Sequence, residues 1–482
     1  MVFNSWIFAW FFLAVWIVYQ GIGRRAQNLW LLLASYAFYG WWDWRFCSLL
    51  LFSTGVDYIV ARLLAATSPS HRARRRALLG VSLLSNLGIL GFFKYWNFFI
   101  DSAASTLGSL GLEANLPLLE VILPVGISFY TFQTIAYTVD VFRGRVEARR
   151  DLIDVALYVA YFPQLVAGPI ERAQHMFHQF ESPRRVDAEQ LAGGAFLILT
   201  GLFKKIAVAD AVAPLVQQAF TSPGDASWTT LATGILLFTI QIYGDFSGYT
   251  DIARGVSRCF GIELMRNFEQ PYLSRSVTEF WRRWHVSLST WLRDYLYIPL
   301  GGNRCGRLRT YLNLLATMLL GGLWHGASWN FVVWGGLHGV ALCVHKAFRE
   351  WRPLPDDGPA PARGLGVVAG LAWAAASWLL TMTLVMICWV FFRAAHLADS
   401  FAFLWGLGSI PLRAGPWVQV ASSVAFPLTL VLLLDVPQRL TGRHVFVRGW
   451  VWPLRGVFYA FLVLVMCLYQ SDVDAPFIYF QF

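Results

Sequence analysis

Charge is scarce in this chain. Of its 482 residues only 14% are Asp, Glu, Lys or Arg, against about 25% in an ordinary soluble domain. That scarcity, with a mean hydropathy of +0.52, excludes a freely soluble globular protein. Cysteine is scarce too: the six residues Cys47, Cys259, Cys305, Cys343, Cys388 and Cys467 form no C-x-x-C pair and fall mostly in or beside apolar stretches. Neither a disulfide framework nor a cysteine metal site is expected. No G-x-x-x-x-G-K-[ST] loop occurs, and "GYTDIARG" and "PLGGNRCG" are too loose to serve as nucleotide motifs. No period of 20 to 50 residues marks a repeat array. The N-terminal "MVFNSWIFAWFFLAVWIVYQ" lacks the positive region of a secretory signal, since Arg24 and Arg25 follow the apolar run. It reads as an uncleaved helix entering from outside.

What is abundant is apolar and aromatic. Hydrophobic residues make up 57% of the chain, with 23 Trp, 18 Tyr and 38 Phe, and aromatic rings favour the membrane interface, where one side is apolar and the other wet. The net charge of +10 is dispersed through loops between apolar segments. Lipid and topology account for it, and nucleic acid is not an expected partner.

Apolar segments lie near 3–20, 28–42, 46–65, 77–99, 118–139, 192–217, 229–248, 309–323, 328–345, 366–391, 416–434 and 449–469. A full crossing takes about 20 residues, so the expectation is an all-α polytopic protein with about 10 to 12 transmembrane helices. Basic clusters at Arg24–Arg25, "HRARRR" (71–76) and "RGRVEARR" (143–150) follow the first, third and fifth segments. All three are cytoplasmic if the N-terminus is outside. "VALYVAYFPQLVAGPIERAQ", with Pro163, Gly168 and Pro169, reads as a re-entrant or interfacial element. Lys204 and Lys205 interrupt a span that is either bent or made of two halves, and they snorkel or line a cavity.

Between 249 and 310 lies a polar belt with ten arginines and no lysine. Within it Phe280, Trp284, Leu288, Trp291, Leu292 and Tyr295 recur near helical spacing, which predicts an amphipathic helix at the cytoplasmic interface. The belt's charge follows from topology alone; its functional alternative is that some arginines hold the phosphates of a coenzyme A donor. The spacing does not say which. The Pro-rich linker "REWRPLPDDGPAPARG" then separates the middle of the chain from the C-terminal helices.

Two histidines stand apart. His285 sits in the belt, and His325 opens an apolar span inside "GGLWHGASWN". The bland reading of His325 is a core ring satisfied by a neighbouring helix. Ionisable groups at membrane depth are costly, however, and face functional cavities. Gly321, Gly322 and Gly326 reduce bulk around it, leaving room for close backbone approach or a substrate. An imidazole takes a proton from a hydroxyl and returns it near neutral pH, as acyl transfer to an alcohol requires. His71, His175, His178, His345, His396 and His444 lie in loops or at segment ends, where solvated rings are expected, and His338 reads as a core hydrogen-bonding residue.

The segments "YGDFSGYTDIARG", "FWRRWHVSLSTWLRDYLYIPLGGNR", "GGLWHGASWNFVVWGGLHG" and "WVFFRA" together resemble the membrane-bound O-acyltransferase (MBOAT) family, in its bacterial alginate O-acetylation branch. The likeness runs through most of the chain and is strongest over 241–345. It implies a single integral membrane domain over 1–482: N-terminal helices at 1–140, a catalytic core at 141–345, and C-terminal helices and tail at 365–482. Re-entrant and interfacial helices would surround a central tunnel. The resemblance assigns His325 as the catalytic residue and His285 to the cytoplasmic entrance. It further implies acetyl coenzyme A (acetyl-CoA) as donor, no metal, residence in the bacterial inner membrane, and an extracytoplasmic SGNH-type acetyltransferase and exopolysaccharide synthesis machinery as partners. The terminal "FIYFQF" resembles, in its F-x-Y-x-x-F spacing, the end of a small membrane peptide of the D-alanylation system. That likeness makes Tyr479 a candidate acyl carrier; otherwise Phe477, Tyr479 and Phe482 only anchor the terminus in lipid. The expected function is export of acetyl groups for O-acetylation of an extracellular polysaccharide such as alginate or cellulose. Its alternatives are D-alanyl transfer to teichoic acid by the same fold, and transport of solute or polysaccharide without acyl chemistry. Inverted repeats that would mark a secondary transporter are not detected.

Overall fold

A computed structural model describes residues 1–112, 116–352, 365–470 and 477–478. Every regular element among them is helical. Six helical segments are long and apolar enough to cross a membrane: Arg24–Ala66, Arg72–Ser109, Ala188–Thr221, Trp329–Trp351, Val367–Arg393 and Ala414–Thr441. Shorter apolar helices span Trp6–Gln20, Leu397–Gly408 and Trp452–Leu468. The first segment is two helices, Arg24–Asp43 and Cys47–Ala66, which part where Asp43 turns extended (φ −158°, ψ 111°) and accepts the Arg45 N–H. The linker from 353 to 364 lies outside the described residues.

The chain divides into two compact units. The first comprises Met1–Ile198 and Tyr249–Met265. Its interior holds buried polar clusters, and in one of them Asp57 accepts hydrogen bonds from Ser82, from Thr138 at 2.6 Å and from Asn86 at 2.7 Å. A buried carboxyl is tolerated because its oxygens are so occupied. The segment read as re-entrant forms the helices Leu152–Ala160 and Phe162–Leu165, almost wholly buried. At the break between them the Phe162 N–H donates to the Ser35 hydroxyl (3.0 Å), and the Gln164 amide donates to the Tyr158 carbonyl (2.6 Å). Protein thus supplies the partners that lipid cannot.

Two expected elements differ here. The apolar run 118–139 is helical only from Ile127, because Gly126 takes a left-handed conformation (φ 76°) against the Leu165 carbonyl, where a Cβ would lie 2.7 Å from its oxygen. The helix Trp228–Arg258 runs ten residues past the expected 248, so "FSGYTDIARG" is helical and not the start of a loop belt. Its polar residues are accommodated in pairs, as where Arg254 meets Asp251 at 3.2 Å.

The second unit comprises Leu199–Gly248 and Arg266–Phe482. The span with Lys204 and Lys205 is helical throughout but passes through a π-helical turn, Lys204–Asp210. Lys205 neither snorkels nor faces water: it is held 2.8 Å from both Asp210 and Asp245. Such wide turns recur at functional positions. The helices Arg307–His325 and Trp329–Trp351 form a hairpin in which Gly322 and Gly335 face one another. A Cβ on Gly335 would overlap the Met318 carbonyl, and one on Gly322 the Phe331 carbonyl.

Candidate functional site

The expected amphipathic helix is broken. It forms Val277–Arg283 and Val286–Leu292, each seven residues, followed by the π-turn Arg293–Tyr297. The break is His285 itself, in left-handed geometry (φ 42°, ψ 55°). Asn267 holds the second helix open: its carbonyl accepts the Val286 N–H (2.9 Å) and its side-chain oxygen accepts the Ser287 hydroxyl (2.6 Å). Apolar spacing alone cannot reveal a competing cap from another segment. Phe280, Trp284, Leu288, Trp291 and Leu292 are consequently buried in protein and do not rest on lipid.

That turn drives the His285 ring inward. It is fully buried, its centroid 4.8 Å from that of Phe246 and 6.0 Å from that of Trp324, and desolvation pushes its pKa down to about 3. The imidazole is neutral at physiological pH. His325 ends the helix Arg307–His325 and is 5% exposed, with Trp324 (5.0 Å), Trp334 (4.9 Å) and Phe392 (5.3 Å) edge-on around it. The two histidines expected from the sequence therefore both pack against one indole, Trp324. The glycines beside His325 serve backbone approach: Gly322 meets the facing helix, and the position a Cβ of Gly326 would take is filled by the Phe331 ring.

A third histidine was understated by its sequence context. His338 is fully buried one turn beyond Trp334, and Trp334 lies between His325 and His338 at ring distances of 4.9 and 4.8 Å. The Trp281 indole donates to His338 Nδ1 at 3.3 Å. Three nitrogens in this aromatic cluster, His338 Nε2, Trp334 Nε1 and Trp389 Nε1, are buried with no hydrogen-bond partner among the described residues. An orphaned buried donor costs about 1–3 kcal/mol. Sequence reading could have found His338 only through its i, i+4 spacing from Trp334.

The tail sequence reaches this neighbourhood. Tyr479 and Phe482 lie outside the described residues, but Phe477 and Ile478 are buried. The Ile478 N–H donates to Asp245 (2.7 Å), and the Phe477 ring lies 6.0 Å from Phe246, the neighbour of His285. Asp245 thus ties Lys205 and Ile478 together, a role its motif "YGDFSGYTD" does not announce.

Of the remaining histidines, His175 is no solvated loop ring: Glu171 pairs with it at 2.7 Å and holds its pKa above the usual value. His444 is buried, and His345 bonds to the Thr278 hydroxyl at 2.9 Å. The six cysteines are free thiols, and no group of three metal-ligating side chains is assembled among the described residues. In the first unit a cavity of about 190 Å³ is lined by His178, Arg184, Arg185 and Gln190, carrying the positive charge an anionic ligand needs.

Residues 145–389, which include His285, His325 and His338, match the family model described as the membrane-bound O-acyltransferase family. The chain is 43% identical over 423 residues to the "Probable alginate O-acetylase AlgI" of Azotobacter vinelandii, covering 86% of this chain and 79% of that protein. It is 44% identical over 445 residues to the protein of the same name in Pseudomonas syringae pv. tomato, covering 89% and 81%. To the peptidoglycan O-acetyltransferase of Helicobacter pylori it is 36% identical over 440 residues, covering 84% and 80%. With its apolar helices, its W-H-G histidine buried among aromatic rings and these relatives over most of its length, the chain belongs to the membrane-bound O-acyltransferase family.

Proposed function

We propose that this protein takes acetyl groups from cytoplasmic acetyl-CoA and passes them across the bacterial inner membrane for O-acetylation of an extracellular polysaccharide. The observation that carries the reading is the pairing of two buried histidines around Trp324 within the family region. Relatives named as alginate and peptidoglycan O-acetylating enzymes support acetyl as the cargo and a polysaccharide as the destination. An alginate- or cellulose-like polymer suits the reading, with an SGNH-type transferase and the polymer-synthesis machinery as partners on the outer side. Membrane lipid is the medium throughout.

In this mechanism His325 is the general base. It takes the proton of an acceptor hydroxyl as that oxygen attacks the thioester carbon, and returns it to the departing thiol. His285, neutral and buried against the same Trp324 ring, positions the donor. The acceptor is the Tyr479 hydroxyl, which becomes a carrier ester once its proton is removed; the docking of Phe477 and Ile478 beside Phe246 supports that choice.

The test uses membranes carrying the full chain, supplied with radiolabelled acetyl-CoA. His325→Ala is expected to lower polymer acetylation by about 10²- to 10⁴-fold at near-normal protein abundance, and Tyr479→Phe nearly as severely. Label transferred at the parent rate by stably inserted His325→Ala protein would end the assignment. Normal acetylation by Tyr479→Phe, with loss of stability on deleting 477–482, would reduce the tail to an anchor. Transfer from a D-alanyl carrier thioester in place of acetyl-CoA would move the cargo to D-alanine, and intact solute entering vesicles would make the protein a transporter.

A further inference from the structure

We infer that the N–H groups of His338, Trp334 and Trp389 form the site that receives the acyl carbonyl oxygen during transfer at His325. This rests on the reading of the protein as a thioester-dependent acyltransferase.

The argument begins with a tautomer. The Trp281 indole can only donate, and it donates to His338 Nδ1. A ring nitrogen that accepts carries no proton, so His338 is neutral and its proton sits on Nε2. That Nε2–H has no acceptor among the described residues, and neither do the indole N–H groups of Trp334 and Trp389. All three side chains are at least 99% buried. The unmet groups are therefore all donors, and what they lack in common is an acceptor.

Their placement says which acceptor. Trp334 packs edge-on against His325 (4.9 Å, 79°) and against His338 (4.8 Å, 70°), while Trp389 lies nearly parallel to Trp334 at 6.3 Å. The donors thus belong to the same aromatic cluster as the base. No cationic side chain is needed, because the ligand is a carbonyl oxygen that becomes negative only in the transition state. Donors held in a dry, rigid cluster stabilise charge that develops there without having to reorganise.

The step balances. As the acceptor hydroxyl adds to the thioester carbon, its proton passes to His325, the new C–O bond forms, and the carbonyl π pair moves onto oxygen, where the N–H donors bind it. The pair then returns, the C–S bond breaks, and the thiolate leaves with the proton from His325. His338, Trp334 and Trp389 change no protonation state. They are catalytic in that they touch the reacting oxygen.

Trp334→Phe and Trp389→Phe keep a ring and delete the donor; His338→Asn keeps an acceptor for Trp281 and deletes Nε2–H. With purified full-length protein in lipid nanodiscs, each is expected to lower kcat for acetyl transfer from acetyl-CoA by about 10²- to 10³-fold. KM for the donor and the melting temperature should stay near the parent values. A structural defect would instead lower the melting temperature without this split. Parent-level kcat in folded variants overturns the inference. Should a variant fail to fold, the parent protein decides: the infrared carbonyl stretch of bound ¹³C-labelled thioester is expected at lower frequency than in solution, and an unshifted band overturns the inference. His325→Ala in the same assay separates the two readings. If it is inactive while the donor variants run at parent kcat, only the carbonyl site is wrong; if it is fully active, the base assignment is wrong.

Discussion

His285 combines two features that each have a cost. A non-glycine residue at φ 42° is in sparsely populated backbone territory, and its ring is shut away from water. Such combinations persist where surrounding packing over-determines them, and they gather at functional sites. The buried ring also has a pH consequence. Its pKa falls from the ordinary 6.5 to about 3 on folding, so between those values the unfolded chain binds a proton that the folded protein refuses. Stability from this group is full above pH 6.5 and declines as pH falls toward 3, by up to about 1.4 kcal/mol per pH unit. We expect the melting temperature in detergent to drop on acidification, and His285→Asn, whose side chain tolerates the left-handed turn, to flatten that dependence. An unchanged slope in His285→Asn would assign the acid sensitivity to other groups.

At the scale of elements, the hairpin of Arg307–His325 and Trp329–Trp351 sets where His325 and Trp334 meet. Its register is locked by two facing glycines, since a methyl group at either would run into backbone of the opposite helix. Backbone cannot yield as a flexible side chain can. Gly335→Ala is therefore expected to destabilise the protein by about 1–3 kcal/mol, the usual cost of overpacking, and to lower transfer activity by shifting Trp334 against His325. Thermal unfolding and a rate measurement on the same preparation check both; a variant with parent stability would show that the hairpin is looser than its contacts imply. The sequence marked one of these glycines, Gly322, together with Gly321 and Gly326, as leaving room for close backbone approach or a substrate. The structure fills that space with the partner helix and with Phe331.

At the scale of the whole molecule, the alternation of basic loops remains a statement about orientation that labelling can decide. Cysteines replacing Arg74 and Arg150, both exposed, are expected to react only with reagents that reach the cytoplasm. Arg149 is a poorer reporter, because it pairs with Glu181 and covers the Phe177 ring. Reaction of either site with an impermeant reagent in intact spheroplasts would invert the topology.

The sequence by itself determined the medium and the helical class, and it drew attention to His285 and His325, because hydropathy, aromatic content and the short segments around those histidines are local properties. It placed most helix cores and the interrupted segment around Pro163, whose break falls at Tyr161. What it left to the tertiary structure was every feature made by a partner distant along the chain. Asn267 breaks an apolar periodicity at His285, Gly126 delays a helix against the Leu165 carbonyl, and Asp245 gathers Lys205 and Ile478. His338 stood out from a core ring only when Trp281 fixed its proton and Trp334 packed against both it and His325. Periodicity records which face of a helix avoids water; it carries no record of which atoms on that face are left without a hydrogen bond.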